Sequence, residues 1–512
     1  MGGALAGAAT ACLLRRRNPG LRVLILERSE RFKRRVGEST VEISALFLGR
    51  VLGLTDHLLE HHLPKQGMRF WFANENARAL DQCSETGPRY NVRLPGYQVD
   101  RAVLDEHVLA TAAAESANVE RGARIRRVTL ADGGAQSIDW DDRGGAPRTS
   151  TARWVVDASG FAAILSRQEG WFTPNPAHPT ATCWSRWTGV RSLDSRELAA
   201  RYPGWAVRAR GLRSTATNHI IGRGWWAWFI PLKGGDVSIG VVYDQRLAEL
   251  PPGPSLGERL RAMLGTHPVA RELLAGAQWQ EGDVHFRRDL AYSSTTFATD
   301  GAVLVGDAAG FIDPFYSPGM DWITFTTSAA AALIHESFRG RPIAPRVAEH
   351  NARFTRCYDR WFRALYRDKY CYMGDQELMT LAFRLDLGLY YLGVVTPPFI
   401  HGHHLLEKPP FTHASAEWPF RVMQLYNRRL AAIGDARHRR GVFGRHNDRR
   451  FVGFTSYEFN RRLRLRVAGA LLAWLGLELR EGWRTWFARS KVAAPAAHPA
   501  PLAAAAPVAP PT

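Results

Sequence analysis

Gly2-Gly3-Ala4-Leu5-Ala6-Gly7 stands near the start of the chain, and a helix-forming run to Arg17 follows it. Asn18-Pro19-Gly20 stops that run, and Leu21-Arg22-Val23-Leu24-Ile25-Leu26 then reads as a strand ending in Glu27. Glycines, helix, strand and acid stand in the order of a dinucleotide-binding unit, with Ala4 in place of the middle glycine. Glu27 lies 20 residues after Gly7, the spacing at which a carboxylate reaches a ribose hydroxyl. No strand precedes these glycines in the sequence, so an open position in the centre of a parallel sheet is expected.

A second stretch of the same character lies far downstream. Ala302-Val303-Leu304-Val305 reads as a buried strand, and Gly306-Asp307-Ala308-Ala309-Gly310 ends it with small residues that let a backbone pass close to a flat or phosphorylated group. Pro314, Pro318 and Gly319 make a rigid turn, and a helix is expected from about Trp322 to Phe338. Strand, small-residue turn and helix N-terminus together favour an anion. Between the two stretches, Arg153-Trp154-Val155-Val156-Asp157-Ala158-Ser159-Gly160 reads as another strand ending in a polar, small-residue turn, and Asp100 as the N-cap of a helix opening at Arg101.

Bulk properties narrow the class. The 512 residues, 46% hydrophobic, suffice for one large or two moderate domains. Five scattered cysteines with no CxxC pair argue against a disulfide framework or a zinc site and suit a reducing, cytoplasmic location. No apolar run approaches the ~20 residues of a membrane span. The net charge of +19 rests on 61 Arg against 6 Lys. No nucleic-acid motif accompanies it, so nucleic acid is not expected as a partner. The scarcity of lysine makes Lys65, in Leu63-Pro64-Lys65-Gln66-Gly67 before the strand Met68–Phe72, conspicuous.

From 171 to 290 the pattern turns to short Trp- and Thr-rich strands, with a hairpin signal in Lys233-Gly234-Gly235-Asp236. The expected organisation is α/β. A dinucleotide-binding domain (1–170 and 291–340) receives an inserted antiparallel substrate sheet (171–290), followed by a helical region (341–490) and a disordered Ala/Pro-rich tail (491–512). Residues 460–490 alternate Arg with Leu, Val and Trp. They read as a packing helix with a basic face, which leaves peripheral membrane contact open.

Four pieces in one order resemble the flavin-dependent halogenases. They are Gly2–Gly7 with Glu27, Gly37-Glu38-Ser39-Thr40, Trp226-x-Trp228-x-Ile230-Pro231, and Phe311-x-x-Pro314-x-x-Ser317-x-Gly319. The resemblance covers roughly residues 1–330. The broader similarity to FAD-dependent monooxygenases and reductases rests on the glycine motif, Asp157–Gly160 and Gly306-Asp307. It implies a GR2-type Rossmann-like fold that binds FAD through Gly2, Gly3, Ala4, Leu5, Ala6, Gly7, Glu27, Arg28, Glu38, Ser39, Thr40, Arg101, Asp157, Gly160, Asp307, Pro314, Gly319 and Met320. It also implies a separate flavin reductase as partner, and oxidation of bound chloride or bromide to hypohalous acid. That acid would pass through a tunnel to a lysine, here Lys65, beside an electron-rich aromatic substrate, free or carrier-protein-bound, in secondary metabolism. Halide would sit at Ser317, Gly319 and Met320, and Trp71, Trp226, Trp228, Phe229 and Tyr316 would line the pocket. No metal is implied.

Two positions depart from the family's pattern. Tyr316 stands where the tryptophan-specific members carry a glutamate, which points to phenolic or pyrrolic rings. Pro318 has no N–H, so of the turn's backbone donors to halide only Gly319 and Met320 remain. The residues leave two alternatives: a non-halogenating monooxygenase or reductase of the same fold, which Pro318 favours, and a non-enzymatic flavin-binding relative.

Overall fold

The computed structural model describes residues 1–94, 96–131, 133–454 and 461–486; the expected tail at 491–512 lies outside the described residues. The helix Leu5–Arg17 packs between Arg101–Ala114 and Pro318–Phe338. Its glycines make that packing feasible. Gly2 has φ +92°, and a Cβ on Gly7 would fall 1.9 Å from the Gly2 carbonyl oxygen. Asp100 caps Arg101–Ala114 as expected, its carboxylate accepting from the Ala102 N–H at 2.9 Å.

Around the glycine turn, four strands form two separate parallel pairs. Leu24–Glu27 pairs in parallel with Asn118–Arg121, and Val155–Asp157 with Ala302–Leu304. Among the described residues no strand pairs with both. Met1 and Gly2 bridge them instead: the Met1 ammonium donates to the Val156 carbonyl (2.8 Å), the Ala158 N–H to the Met1 carbonyl (2.9 Å), and the Gly2 N–H to the Leu26 carbonyl (2.8 Å). The Asp157 carboxylate is turned inward and holds the following turn, accepting from the N–H groups of Ser159 (2.9 Å) and Leu165 (2.8 Å).

The hairpin Trp225–Pro231/Val237–Asp244 forms around the expected turn. Its sheet is larger than residues 171–290, because Thr217–Gly222 pairs in parallel with Met68–Phe72, and Ser84–Pro88 pairs with both Met68–Phe72 and Phe451–Phe454. Strand alternation sorts its side chains into two cores. Phe70, Phe72, Trp226, Trp228 and Ile230 face the main core. Trp71 and Phe229 face the other way, toward the helices Leu256–Gly265 and Pro268–Leu273.

The helical region wraps the end of the turn at 313–320. The helix at that turn begins at Pro318, four residues earlier than expected, because proline suits the first helical position. Gln376–His401 is long and apolar enough to cross a membrane, but 61% of its apolar window is buried inside the protein. It includes the π-helical turn Tyr391–Val395, and a second such turn, Phe362–Tyr366, lies close by.

Candidate functional site

Two cavities meet at one partition. The first opens beside the Gly306 turn and is lined by Gly37, Glu38, Ser39, Arg101, Trp226, Trp228, Asp307, Pro314, Ser317, Gly319 and Met320. The second is lined by Glu42, Lys65, Tyr316, Pro318, Asp321 and aromatic side chains of the helical region. The segments 36–42 and 314–321 serve both cavities: residues 36–39 line the first and 41–42 the second, while Pro314, Ser317, Gly319 and Met320 line the first and Tyr316, Pro318 and Asp321 the second.

The turn achieves this with unusual backbone. Tyr316 (φ +70°) and Ser317 (φ +59°) are consecutive non-glycine residues in the left-handed region. Each costs on the order of 1–2 kcal/mol, a strain that surrounding structure must hold in place. The holding groups are identifiable. Asp313 accepts from the Phe315 N–H (2.8 Å) and the Tyr370 hydroxyl (2.8 Å), and lies 2.7 Å from His178 Nε2. Tyr370 in turn accepts from the Trp226 indole (2.9 Å), and Tyr366 donates to the Phe315 carbonyl (3.0 Å). Trp226 is therefore tied to the turn as well as walling the first cavity.

Lys65 sits on the partition. It ends the short strand Leu63–Lys65, paired with Gly96–Gln98. Gly96 has no Cβ because one would press against the Thr40 carbonyl at 2.8 Å. The Lys65 amine donates to Ser39 Oγ (2.8 Å) and to the Thr40 carbonyl (2.9 Å), and Ser39 Oγ lies 2.9 Å from Thr217 Oγ1. The lysine faces the second cavity and the serine faces the first. Lys65 is 3% exposed, and burial lowers its ammonium to about 8, opposed by Glu42 and Asp321. His219, in the first cavity, is lowered to about 3 by burial and by Lys65, so it is neutral.

A buried ammonium destabilises the fold wherever the unfolded chain is also protonated. Its folded value lies below its ordinary one, so stability rises as pH goes from about 8 toward the ordinary lysine range. Lys65→Met is therefore expected to be more stable than wild type at neutral pH, by about 1–3 kcal/mol, in a denaturant titration. A destabilised variant would mean that the two hydrogen bonds outweigh the buried charge.

The residues read from sequence divide as follows. Gly3 donates its N–H to the Glu27 carboxylate (2.6 Å), which also accepts from Ser29 (2.8 Å). A Cβ on Gly3 would lie 3.1 Å from the Glu27 Cβ, so turn and acid are in contact. Gly306 closes on the same helix, where an added Cβ would lie 3.1 Å from the Ala6 Cβ. This glycine turn, the helix N-terminus at Ala4 and Leu5, the acid at the strand end and the adjoining cavity fit a dinucleotide carrying a flat ring. Arg28 is exposed beyond that strand end. Arg101 lines the cavity while pairing with Asp105 (3.0 Å), and Gly37, φ +92°, makes room for its guanidinium. Glu38 forms a buried ion pair with Arg186, and burial still raises its carboxyl to about 7. Asp307 is raised to about 6 by burial, countered by Arg101 and Arg287. Thr40 accepts from the Tyr97 N–H (2.6 Å), and Gly160, φ +63°, lies in the turn that Asp157 holds. Gly319 and Met320 occupy the first turn of the helix Pro318–Phe338, where N–H groups have no intrahelical partner.

Two of the expected pocket residues lie away from both cavities. Trp71 donates to Asn218 (3.0 Å) and packs on Trp205, and Phe229 lies in the same second core, so neither lines either cavity. Trp226 and Trp228 line the first cavity only; Tyr316 lines the second. The sheet at 171–290 therefore walls the first cavity. The second is built by residues 41–42, 65–68, 92–94 and 96, 316–321, 361–391 and 454. Sequence reading missed Glu42, Asp321, Asp386, Tyr390 and Tyr391, which bring polar atoms to that second cavity.

A family model described as tryptophan halogenase matches residues 72–377. The flavin-dependent halogenase chlA of Dictyostelium discoideum is 27% identical over 440 residues, covering 79% of this chain and 71% of that one. The flavin-dependent halogenase armH5 of Armillaria mellea is 26% identical over 383 residues, covering 70% and 68%. In fold, the chain is similar to the halogenase PltM, with TM-score 0.68 at 18% identity over 93% of this chain and 95% of that one. It is also similar to the myxobacterial chondrochloren halogenase CndH, with TM-score 0.61 at 21% identity over 91% and 95%. With the glycine turn, the partitioned cavities and a family match over more than half its length, this chain belongs to the tryptophan halogenase family of flavin-dependent halogenases, enzymes of the FAD-dependent oxidoreductase type.

Proposed function

We propose that this chain uses reduced FAD from a separate flavin reductase, dioxygen and chloride or bromide to halogenate an electron-rich phenolic or pyrrolic ring. The observation that supports this best is the buried Lys65 amine on the partition between two cavities, bonded to Ser39 on one side and open to the other. Bound at the first cavity, FAD supplies the oxygen chemistry that turns halide into hypohalous acid. The chain's own groups do the rest. Gly3 and Glu27 hold the dinucleotide end, and Trp226 and Trp228 occupy the wall where an organic ring would otherwise approach the flavin. The N–H groups of Gly319 and Met320, at the positive end of a helix, hold the halide. The Lys65 ammonium binds the oxygen of hypohalous acid in the second cavity. As the carbon–halogen bond forms, the halogen–oxygen bond breaks and the oxygen leaves as water with a proton from Lys65. The ring's displaced proton restores the balance.

The test is mass spectrometry of products from phenols and pyrroles incubated with the protein, FAD, a flavin reductase, NADH and bromide. Hydroxylated products alone would move the chain to the monooxygenase reading that Pro318 favours. Proline at 318 removes one N–H from the halide site, and a hydrogen bond to a charged acceptor is worth about 1.5–3 kcal/mol. Pro318→Ala is therefore expected to lower the bromide concentration for half-maximal rate by about tenfold. An unchanged bromide dependence would remove halide from this turn.

A further inference from the structure

The second cavity has mostly aromatic and aliphatic walls, but its polar groups are unusually one-sided. Three carboxylates line it, Glu42, Asp321 and Asp386, against a single cation among its described lining residues, Lys65. Asp386 is already balanced: it accepts from Lys369 Nζ (2.6 Å), which is fully buried, and from the Tyr316 hydroxyl (3.1 Å). Glu42 and Asp321 are held by neutral donors instead. Asp321, 1% exposed in the first turn of Pro318–Phe338, accepts from the Ser44 N–H (3.0 Å) and from the Tyr390 hydroxyl (2.8 Å). Glu42 accepts from the Tyr391 hydroxyl (2.6 Å). An ionised carboxylate has about four acceptor positions, so both retain capacity for another donor.

We infer that Glu42 and Asp321 select un-ionised aromatic rings that carry hydroxyl groups, and exclude aromatic carboxylates, an inference that rests on the halogenase function proposed above for the site of the ring. A hydroxylated ring entering this cavity brings O–H donors to two oxygen acceptors at the end where Lys65 stands. A site built around buried acceptors rejects analogues that leave those acceptors unpaired. A ring bearing a carboxylate brings a third negative charge into a low-dielectric space that has one lysine to oppose it.

The electrostatics give the exclusion a direction in pH. The groups facing Asp321 are Glu42 and Lys65, with the Tyr366, Tyr390 and Tyr391 hydroxyls. Across the cavity stand Tyr316 and the Asp386–Lys369 pair. Burial raises Asp321 to about 7, with Glu42 adding to the rise, and Lys65 stands near 8. Below these values Asp321 is neutral and Lys65 charged, and the cavity tolerates an anion best. Above them Asp321 is charged and Lys65 neutral, and an anion is opposed most strongly. Exclusion therefore strengthens as pH rises through this window.

The experiment is equilibrium binding to the full chain, read by tryptophan fluorescence without flavin, halide or reductant. The probes are 3,5-dihydroxybenzamide, 3,5-dihydroxybenzoate, which matches it in size, and benzamide, which lacks only the two hydroxyls. The dihydroxyamide is expected to bind at least about tenfold tighter than either other probe at about pH 8, and its advantage over the acid is expected to shrink toward about pH 6. Asp321→Asn and Glu42→Gln are each expected to reduce the amide-to-acid ratio at pH 8 by about tenfold. Asparagine keeps an acceptor for the Ser44 N–H, and near-ultraviolet circular dichroism verifies that both variants fold. Acid binding as tight as amide, a ratio that neither folded variant changes, or no saturable binding of the dihydroxyamide would each overturn the inference. Because no turnover is involved, selective binding by a chain that forms no halogenated product would sink the halogenase proposal and leave this one standing.

Discussion

Lys65→Ala is expected to remove halogenated product, a loss of about 1,000-fold or more, while oxygen uptake by the FAD-loaded protein with reductase continues within about twofold. The separation follows from position. In the proposed function, oxygen chemistry belongs to the cavity lined by Ser39, Trp226 and Trp228, and Lys65 lines the other. Removing the amine leaves a space bounded by Ser39 and the Thr40 carbonyl and takes away the only cation among the cavity's described lining residues, the group proposed to hold and protonate hypohalous acid. Lys65→Arg is expected to fail too, because a guanidinium is larger, planar and always charged, whereas the buried amine stands near 8. A variant that still halogenates at a tenth of the wild-type rate would show that the lysine only shapes the cavity. Lys65→Met sharpens the distinction, since it should lose product while gaining stability.

Gly7→Ala is expected to abolish flavin uptake at micromolar concentration. The added Cβ would stand 1.9 Å from the Gly2 carbonyl oxygen and 3.2 Å from the Ala158 Cβ. Both the oxygen and the helix carrying residue 7 are backbone, so a rotamer change does not relieve the overlap. Either the helix Leu5–Arg17 shifts or the turn opens, at a cost of about 3 kcal/mol or more. Since Gly2 and Met1 bridge Leu24–Glu27 and Val155–Asp157, the displacement reaches both parallel pairs. Fluorescence titration should read a weakening of about 100-fold or more, with a lower Tm. Wild-type affinity would mean that flavin does not use this turn.

The first cavity was legible in the sequence because its parts are local. Gly2–Gly7 with Glu27, Gly37–Thr40, Trp226 with Trp228, and Gly306–Gly319 are each short runs whose spacing reflects one turn or one strand face. Lys65 stood out through rarity and place. The second cavity was not legible in the same way. Glu42, Asp321, Asp386, Tyr390 and Tyr391 come from segments far apart in the chain and meet only when the helical region folds over the turn. An acid in the first turn of a helix, such as Asp321, reads from sequence as a complement to the helix dipole. Strand alternation places Trp71 and Phe229 on the face opposite the main core. Their neighbours Phe70, Phe72, Trp228 and Ile230 face the main core, so the intervening residues must face away.

The most direct test of the two-cavity account is the yield of brominated phenol when a large excess of free methionine is present, which consumes hypobromous acid in solution. If the oxidant passes from the first cavity to Lys65 inside the protein, the yield is unchanged and the free methionine stays largely unoxidised. If brominated product vanishes while methionine sulfoxide accumulates, the ring is halogenated outside the protein, and Lys65 and its cavity have no part in the reaction.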